Sequence, residues 1–556
     1  MDVYYENEEF LIGNNKSKFI LKNVDVVEFE KEANETFKYI DNILCNLYTY
    51  NGIDMYSFAR GSVVEEFRKV LTKFFIIKSI RKNISNSIII HTDDDVIYEI
   101  CKILNLKVKY NKSICGSNRA LKVNSLLRKT LSGFFKVFLY KINRGIPKEK
   151  ILIVTNSVGD NSIVIAGKIV NYDSYYGKVY DDLINEYNVM EVNYDRNKKK
   201  KRNQCCSTCI SYDYLAIVKK IKKHFIKINK NEIKNDLNML IKNEFYFMGI
   251  NITELFTKYI VSSLEDRYIS YIYEILTLDS LMKKNKFKKV ITIDEADRFR
   301  CLIVAANMNG IDSYAIQHGI IKNASYSYII PGCNKELVPK KTFVWGQGFK
   351  DQLINNTKVY NDENLIVVGQ PRTDILFDLV KEKSSSKEEK IKILYATQND
   401  LKLTSQATEI LCEALSKISN YEMIIKIHPL EDSEDYYKDF VKKYNLKNVI
   451  ITRDKDIYEC INWSNVIVSV HSTVILEGAI MNKPSICILL PDFYDLGDFV
   501  KEGLSFGVEN SSQLAELLEG DIINSNFSSK YINKYLYKID GLVHKRIRDE
   551  ILEDII

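Results

Sequence analysis

Four apolar runs in the second half of the chain end on side chains that bind or move charge: YAIQHG at 314–319, VVGQPRTD at 367–374, IIKIHP at 424–429 and VIVSVHSTVILEGAIMNKP at 466–484. A neutral imidazole exchanges a hydrogen bond at each nitrogen, and a protonated one steadies an anionic phosphate. His428 precedes Pro429, which denies the chain a helical continuation and can fix the loop that presents the ring to a donor. Ser469, Ser472 and Thr473 set short hydroxyls beside the first N–H groups of a following helix, a cradle for phosphate or ribose; plain helix capping by Ser472 is the structural alternative. Glu477, four residues past Thr473, shares its helix face and either accepts from ribose and sugar hydroxyls or faces solvent. Alternation along VSVHS points His471 away from Ser472. After the run ending at Val368, Gly369, Gln370 and Arg372 offer an amide to orient a ligand and a guanidinium for a phosphate or a salt bridge.

His318 is the strongest catalytic candidate, because Gly319 behind it permits close approach of the backbone. It can take a proton from an attacking hydroxyl or stabilise charge on a departing phosphate. Asp294, Glu295 and Asp297 close the preceding strand and can orient His318 or activate an acceptor, with Glu295 the weaker alternative base. Acids that open a helix are also common for their fit to its positive end. Asn156, Ser157 and Asp160 follow KILIVT and form the expected acceptor side, although a Gly159 turn explains them almost as well.

These groups need strands to hold them. The apolar runs read as buried parallel strands alternating with helical patterns, and ligands of open α/β sheets bind at the carboxyl edge. With 556 residues, 46% apolar and 27% charged, the chain is globular and too long for one core. The polar stretch KEKSSSKEEK divides it, giving an elaboration over 1–84, an acceptor-side α/β domain with helical insertions over 85–380, a linker at 381–390 and a nucleotide-donor domain over 391–556. No GxGxxG follows a strand, so NAD is not indicated.

A net charge of +6 is small for this length and gives no strong bias toward nucleic acid. RNKKKKR at 196–202 lacks an aromatic-rich nucleic-acid module around it and reads as a solvated loop. The eleven cysteines are scattered, as free thiols of a reducing compartment are. Cys205, Cys206 and Cys209 with His224 lack the second Cys-x-x-Cys pair of a structural zinc site, so no metal is assigned. Acidic residues crowd the first ten positions and no apolar run is long enough to span a bilayer, so the chain is expected in the cytoplasm, in solution or on a membrane face. The basic, aromatic stretch Arg119–Lys141 either lies on anionic lipid or packs as an ordinary helix.

QHG at 317–319, IHP at 427–429 and SVHSTVILEGAIMNKP together resemble the two-domain GT-B glycosyltransferases and related transferases of bacterial surface-polymer synthesis. That group includes capsule-synthesis, polysialyltransferase-like and CDP-glycerol glycerophosphotransferase proteins. The likeness is strong over 285–500 and extends weakly back to the strand at 150, and the full YSS-x-x-x-DF signature of the glycerophosphotransferases is absent. It implies two facing Rossmann-like domains, a nucleotide-activated donor on the C-terminal one and an acceptor on the other. Transfer of a sugar from a CMP- or UDP-linked donor to a surface glycan, lipid-linked glycan or glycoprotein is the expected activity, without a further cofactor. CDP-linked polyol-phosphate transfer, UDP-sugar 2-epimerisation and non-catalytic sugar binding are the alternatives.

Overall fold

The computed structural model describes the chain apart from residues 7–8, 14–15, 20–22, 85–86, 112–132, 134, 138–147, 157–159, 166–167, 195–207, 294, 296, 322–327, 381–389, 399–400, 430, 432–433, 491–498, 521, 523–528 and 554–556. Ser157, Asp294, Cys205, Cys206, the RNKKKKR run, nearly all of the expected linker and most of Arg119–Lys141 lie outside the described residues.

Two parallel sheets carry the architecture. In the central sheet the strands lie in the order Thr208–Ser211, Asn188–Asn193, Lys150–Thr155, Lys289–Thr292, Asp312–Ile316, Lys341–Val344, Leu365–Val367. In the C-terminal sheet the order is Val449–Thr452, Tyr421–Lys426, Ile391–Ala396, Val466–Ser469, Ser485–Ile488, Phe506–Val508. Every pairing in both is parallel. Numbered within each sheet, both begin 3-2-1-4-5-6, the doubly wound order, which opens a crevice where the winding reverses. Runs such as ILIV and VIV form these strands because β-branched side chains suit positions buried on both faces. The fold is therefore the expected α/β, GT-B-like pair of Rossmann-like units.

A third, mixed sheet holds the amino-terminal residues. Strand Asp2–Glu6 pairs antiparallel with Glu9–Ile12 and parallel with Ile89–Thr92, whose other neighbour is Lys107–Tyr110. A division at residue 84 would thus cut one sheet in two: the short strands near the start, with too few residues to show a period, are the partners of the run at 89–92. Helix Tyr56–Asn83 runs from this unit into the shared core. Asp54 sets its start, accepting from the Tyr56 and Ser57 N–H groups at 3.2 Å each.

The last helices leave the C-terminal sheet. Val543, Ile547 and Ile551 of helix Val543–Glu553 share a cluster with Ile151, Ile153, Ile291 and Phe343 on one face of the central sheet. Helix Ser529–Leu536 lays Tyr535 against Phe349, ring centres 5.1 Å apart. The segment 391–556 is therefore divided between the two units, because an amphipathic helix packs where an uncovered apolar face remains, whatever its place in sequence. Fully buried Asp374 fixes the return: it accepts from the Val543 N–H at 3.0 Å, the His544 N–H at 2.8 Å and His544 Nδ1 at 2.7 Å.

Asp374→Ala leaves two first-turn N–H groups and the His544 ring without their acceptor. Urea denaturation is expected to show a loss of about 2–4 kcal/mol, with Asp374→Asn losing less because the amide oxygen still accepts.

Candidate functional site

The junction between the units is built from four short pieces, each at the carboxyl end of a strand or opening a helix. From the central unit come the turn 172–177 and the bend 369–372; from the C-terminal unit come the first turn of helix Ile457–Trp463 and helix Val474–Ile480. Gly177 has φ +54°, and a Cβ there would sit 2.4 Å from the Pro371 carbonyl oxygen, so the turn and the bend touch backbone to backbone. Asp173 closes the turn, accepting from the Tyr175 N–H at 2.8 Å and the Tyr176 N–H at 3.0 Å.

Arg372 Nη1 donates to Glu477 Oε1 across the junction. Burial works against the Arg372 charge, but Glu477, with Tyr458 and Tyr172, more than offsets it and holds the guanidinium proton above its ordinary affinity. Burial raises the Glu477 carboxyl and Arg372 opposes that rise. Tyr172 stacks on Tyr458 at 5.9 Å between ring centres, and its hydroxyl donates to Asp456 at 3.5 Å. Asp456 caps its helix through the Tyr458 N–H at 2.8 Å, yet burial pushes its carboxyl up to about 6. Of the two roles expected for Arg372, the salt bridge is the one formed. Glu477, expected to meet ribose or face solvent, is 2% exposed and pairs with Arg372 instead.

The same turn reaches His318. Tyr175 approaches the imidazole edge to face at 6.4 Å, and Tyr328 stacks on its other side at 6.3 Å with Oη 3.4 Å from Nδ1. His318 is half-buried, directly beyond strand Asp312–Ile316. Its neighbour Gln317 ties the loop down, its side-chain oxygen accepting from the Trp345 N–H at 2.9 Å and its carbonyl from the indole N–H at 2.9 Å. Glu295 does not sit as a second base. It is 0% exposed and accepts from Thr342 Oγ1 at 2.7 Å and from the Tyr360 hydroxyl, so its carboxylate braces the sheet interior. Asp297 is exposed and accepts from Tyr271 at 3.1 Å.

At the crevice of the C-terminal sheet, between Ile391–Ala396 and Val466–Ser469, the expected donor residues fall into two groups. Ser469 is spent on structure: its hydroxyl donates to the Ala396 carbonyl at 2.7 Å and accepts from Gln398 Nε2 at 3.3 Å. His471, Ser472 and Thr473 are half-buried around the helix start, where Ser472 Oγ accepts from the Val474 N–H at 3.3 Å. That is a turn bond one residue ahead of the N-cap Thr473, which itself makes no side-chain cap bond, and it orients the Ser472 hydroxyl. His428 is also half-buried, with Pro429 exposed beside it; its N–H donates to Thr397 Oγ1 at 2.8 Å and Glu431 Oε1 at 3.0 Å. Burial lowers the affinity of the His428 ring for a proton, so it is neutral at neutral pH.

Gly369 takes φ +98° and packs under Val543, while Gln370 is 1% exposed, with both amide atoms lacking a hydrogen-bond partner among the described residues. Asn156 is half-buried at the end of Lys150–Thr155, and Asp160 opens strand Asp160–Ile165, paired in register with Asp173. Of the basic stretch at 119–141, Lys136 donates to the Cys209 carbonyl at 2.9 Å beside the edge strand Thr208–Ser211. Tyr172, Tyr175, Tyr328, Gln398, Asp456 and Tyr458 were not singled out from sequence. The Asp-x-x-x-Gly of 173–177 was the available signal for the turn, and Gln398 follows a strand that had been recognised.

Residues 338–533 match the model of the family described as CDP-Glycerol:Poly(glycerophosphate) glycerophosphotransferase. The teichoic acid poly(ribitol-phosphate) polymerase of Bacillus spizizenii is 26% identical over a match covering 34% of this chain and 34% of that protein. The chain thus spans about a third of the length of that curated relative. Among solved structures, S. aureus MnaA with UDP is similar at 13% identity and TM-score 0.43, over 73% of this chain and 97% of that one. UDP-GlcNAc 2-epimerase from Neisseria meningitidis bound to UDP-GlcNAc is similar at 14% identity and TM-score 0.44, over 73% and 100%. A variant of the wall teichoic acid polymerase TagF is similar at 13% identity and TM-score 0.40, over 78% and 98%. Across 338–533 the chain is therefore similar to the CDP-glycerol glycerophosphotransferase family, a stretch that holds IHP at 427–429 while QHG at 317–319 precedes it.

Arg372→Ala strands a buried carboxylate, and chemical denaturation is expected to register a loss of about 3–5 kcal/mol, whereas the paired change Arg372→Met with Glu477→Leu is expected to recover most of it. Asp456 adds a pH signature. Because its folded value lies above its ordinary 3.8, at about 6, the folded state binds more protons in that interval and this group's contribution to stability falls as pH rises through it. The difference in stability between the parent and Asp456→Asn, measured across that interval, should carry this slope and be flat above it.

Proposed function

We propose that this protein is a transferase that moves a group from a nucleotide-activated donor to a surface-polymer acceptor, with the nucleotide on the C-terminal unit and the acceptor against His318. The observation that carries this reading is the shared strand order of the two sheets. In both, the polar residues named from sequence follow the carboxyl ends of strands, and the 172–177 turn connects His318 to the C-terminal helices.

During transfer the acceptor hydroxyl loses a proton as its oxygen attacks, while charge builds on the departing nucleotide phosphate. The His318 imidazole, with Nδ1 beside Tyr328 Oη, is the group to take that proton or to meet that charge. A neutral His428, with Ser472 and Thr473, supplies hydrogen bonds to the donor phosphate or ribose. Asn156, Ser157 and Asp160 remain the acceptor-side set. The match over 338–533 favours a polyol phosphate leaving a CDP-linked donor, with CMP as the departing group. Sugar transfer from a CMP- or UDP-linked donor is the second reading, favoured by the missing YSS-x-x-x-DF signature. No helix among the described residues is long and apolar enough to cross a membrane. The proposed location is the cytoplasm, peripheral to the inner face of the cell membrane, in the synthesis of a capsule or related surface glycan.

A panel of CDP-glycerol, CDP-ribitol and CMP- and UDP-sugars tests the class: added polyol phosphate, added sugar or an isomerised free donor each identifies one reaction. Folded His318→Ala is expected to keep nucleotide affinity and lose turnover by about a hundredfold or more, chiefly in kcat. His428→Ala and the double change S472A/T473A are expected to lose affinity instead. Parent-level turnover in H318A, or unchanged affinity in both donor-side variants, would overturn the corresponding assignment.

A further inference from the structure

The segment that carries Tyr328 beside His318 continues onto the amino-terminal unit and is tied to it at three places. Arg60, on helix Tyr56–Asn83, donates from Nη1 to the Ile329 carbonyl at 3.0 Å. Asn334 Nδ2 donates to the Gly52 carbonyl at 3.1 Å. Between them Gly332 takes φ +82°, and a Cβ there would meet Cys45 Sγ at 3.0 Å, so the segment rests directly on the residue that follows helix Asn23–Leu44.

The first tie is built more firmly than a surface contact needs. Arg60 is 7% exposed, and Asp41 of helix Asn23–Leu44 accepts from its Nε at 2.9 Å and its Nη2 at 2.7 Å. The Tyr56 hydroxyl donates to the same carboxylate at 2.8 Å. A two-pronged bond to a carboxylate fixes the plane of a guanidinium, and that plane aims Nη1 at Ile329, 269 residues away. Ile329 immediately follows Tyr328, which is 3% exposed, stacks on His318 and holds Oη 3.4 Å from Nδ1. An apolar contact alone would let the segment slide, whereas moving this carbonyl leaves a buried, charged N–H without its acceptor.

We propose that Arg60, locked by Asp41, is a positioning residue for His318: by holding the Ile329 carbonyl it keeps Tyr328 stacked on the imidazole and ties the aim of that ring to the amino-terminal unit. The ring then has two supports of different origin, Tyr175 from the 172–177 turn and Tyr328 under the control of Arg60. This inference rests on the reading of His318 as the group that takes the proton or meets the charge, and its test separates the two.

Diethyl pyrocarbonate acylates unprotonated imidazole, so the rate at which His318 is modified in the full chain reports how its ring is covered. The rate is read by peptide mass spectrometry, with exposed His224 as the internal reference. Arg60→Lys keeps a cation beside Asp41 but not the fork, and His318 is expected to react at least about threefold faster in it. Gly332→Val, which pushes the segment off Cys45 without touching a buried charge, is expected to act in the same direction and reads the proposal should the first variant not fold. Phe29→Leu, at the far end of the Asp41 helix and packed on Phe75 and Phe247, should leave the rate at the parent value. In transfer assays Arg60→Lys should lose kcat by about tenfold to a hundredfold with KM for the donor unchanged, and should cost nothing further on a Tyr328→Leu background. Parent-level His318 reactivity in the folded Arg60 and Gly332 variants, a full additional loss of turnover on the Tyr328→Leu background, or an equal effect of Phe29→Leu overturns the proposal. Faster modification of His318 in those variants together with parent-level turnover in His318→Ala would overturn the catalytic reading of His318 and leave the brace standing.

Discussion

Arg372 and Glu477 leave water together, one carried by the central unit and one by the C-terminal unit, and the geometry of the junction follows from their pairing. A guanidinium and a carboxylate buried in this way stabilise the fold only while each has the other, so the bend 369–372 and helix Val474–Ile480 cannot separate without exposing or stranding a charge. The tyrosines around the pair extend that constraint. Tyr172 and Tyr458 stack beside it, and Asp456, capping its helix, accepts from Tyr172. The site is thus held by an electrostatic clasp with aromatic walls.

The 172–177 turn gives the clasp its reach. One end touches Tyr458 and Asp456 of the C-terminal unit, and three residues on, Tyr175 meets His318. Asp173 and Gly177 make the turn tight, and contact with Pro371 leaves no room for a side chain at 177. A change in the relation of the two units therefore bears on the wall beside His318 through the short backbone from Tyr172 to Tyr175 and their two rings.

How much of this was legible follows from what kind of signal each feature leaves. Long buried strands such as ILIVT and VIVS announce themselves by apolar content, so the parallel sheets, and with them the positions of His318, His428 and Ser469, could be read directly. Roles were harder. Glu295 was recognised as an acid closing a strand and Glu477 as one sharing a helix face with Thr473, but nothing local shows that Thr342 and Tyr360 engage the first and Arg372 the second, since those partners lie 47, 65 and 105 residues away. The strands at 2–6 and 9–12 are too short to display a period, and their place beside 89–92 is a tertiary fact. Tyr172 and Tyr175 lie in a stretch whose composition reads as an ordinary turn.

The docking of helix Val543–Glu553 on the central sheet sets an order of events during synthesis. Ile151, Ile153, Ile291 and Phe343 are translated long before Val543, Ile547 and Ile551, so that face of the central sheet, covered in part by Val179, Tyr180 and Leu183 of helix Val179–Glu186, waits for the rest of its cover while the ribosome delivers the whole C-terminal unit. The first Rossmann-like unit to be made is the last to be completed. A nascent chain halted anywhere between the two carries an incompletely covered aliphatic sheet face of the kind that chaperones bind, and helix Val543–Glu553 acts as the bolt that ends that vulnerable interval.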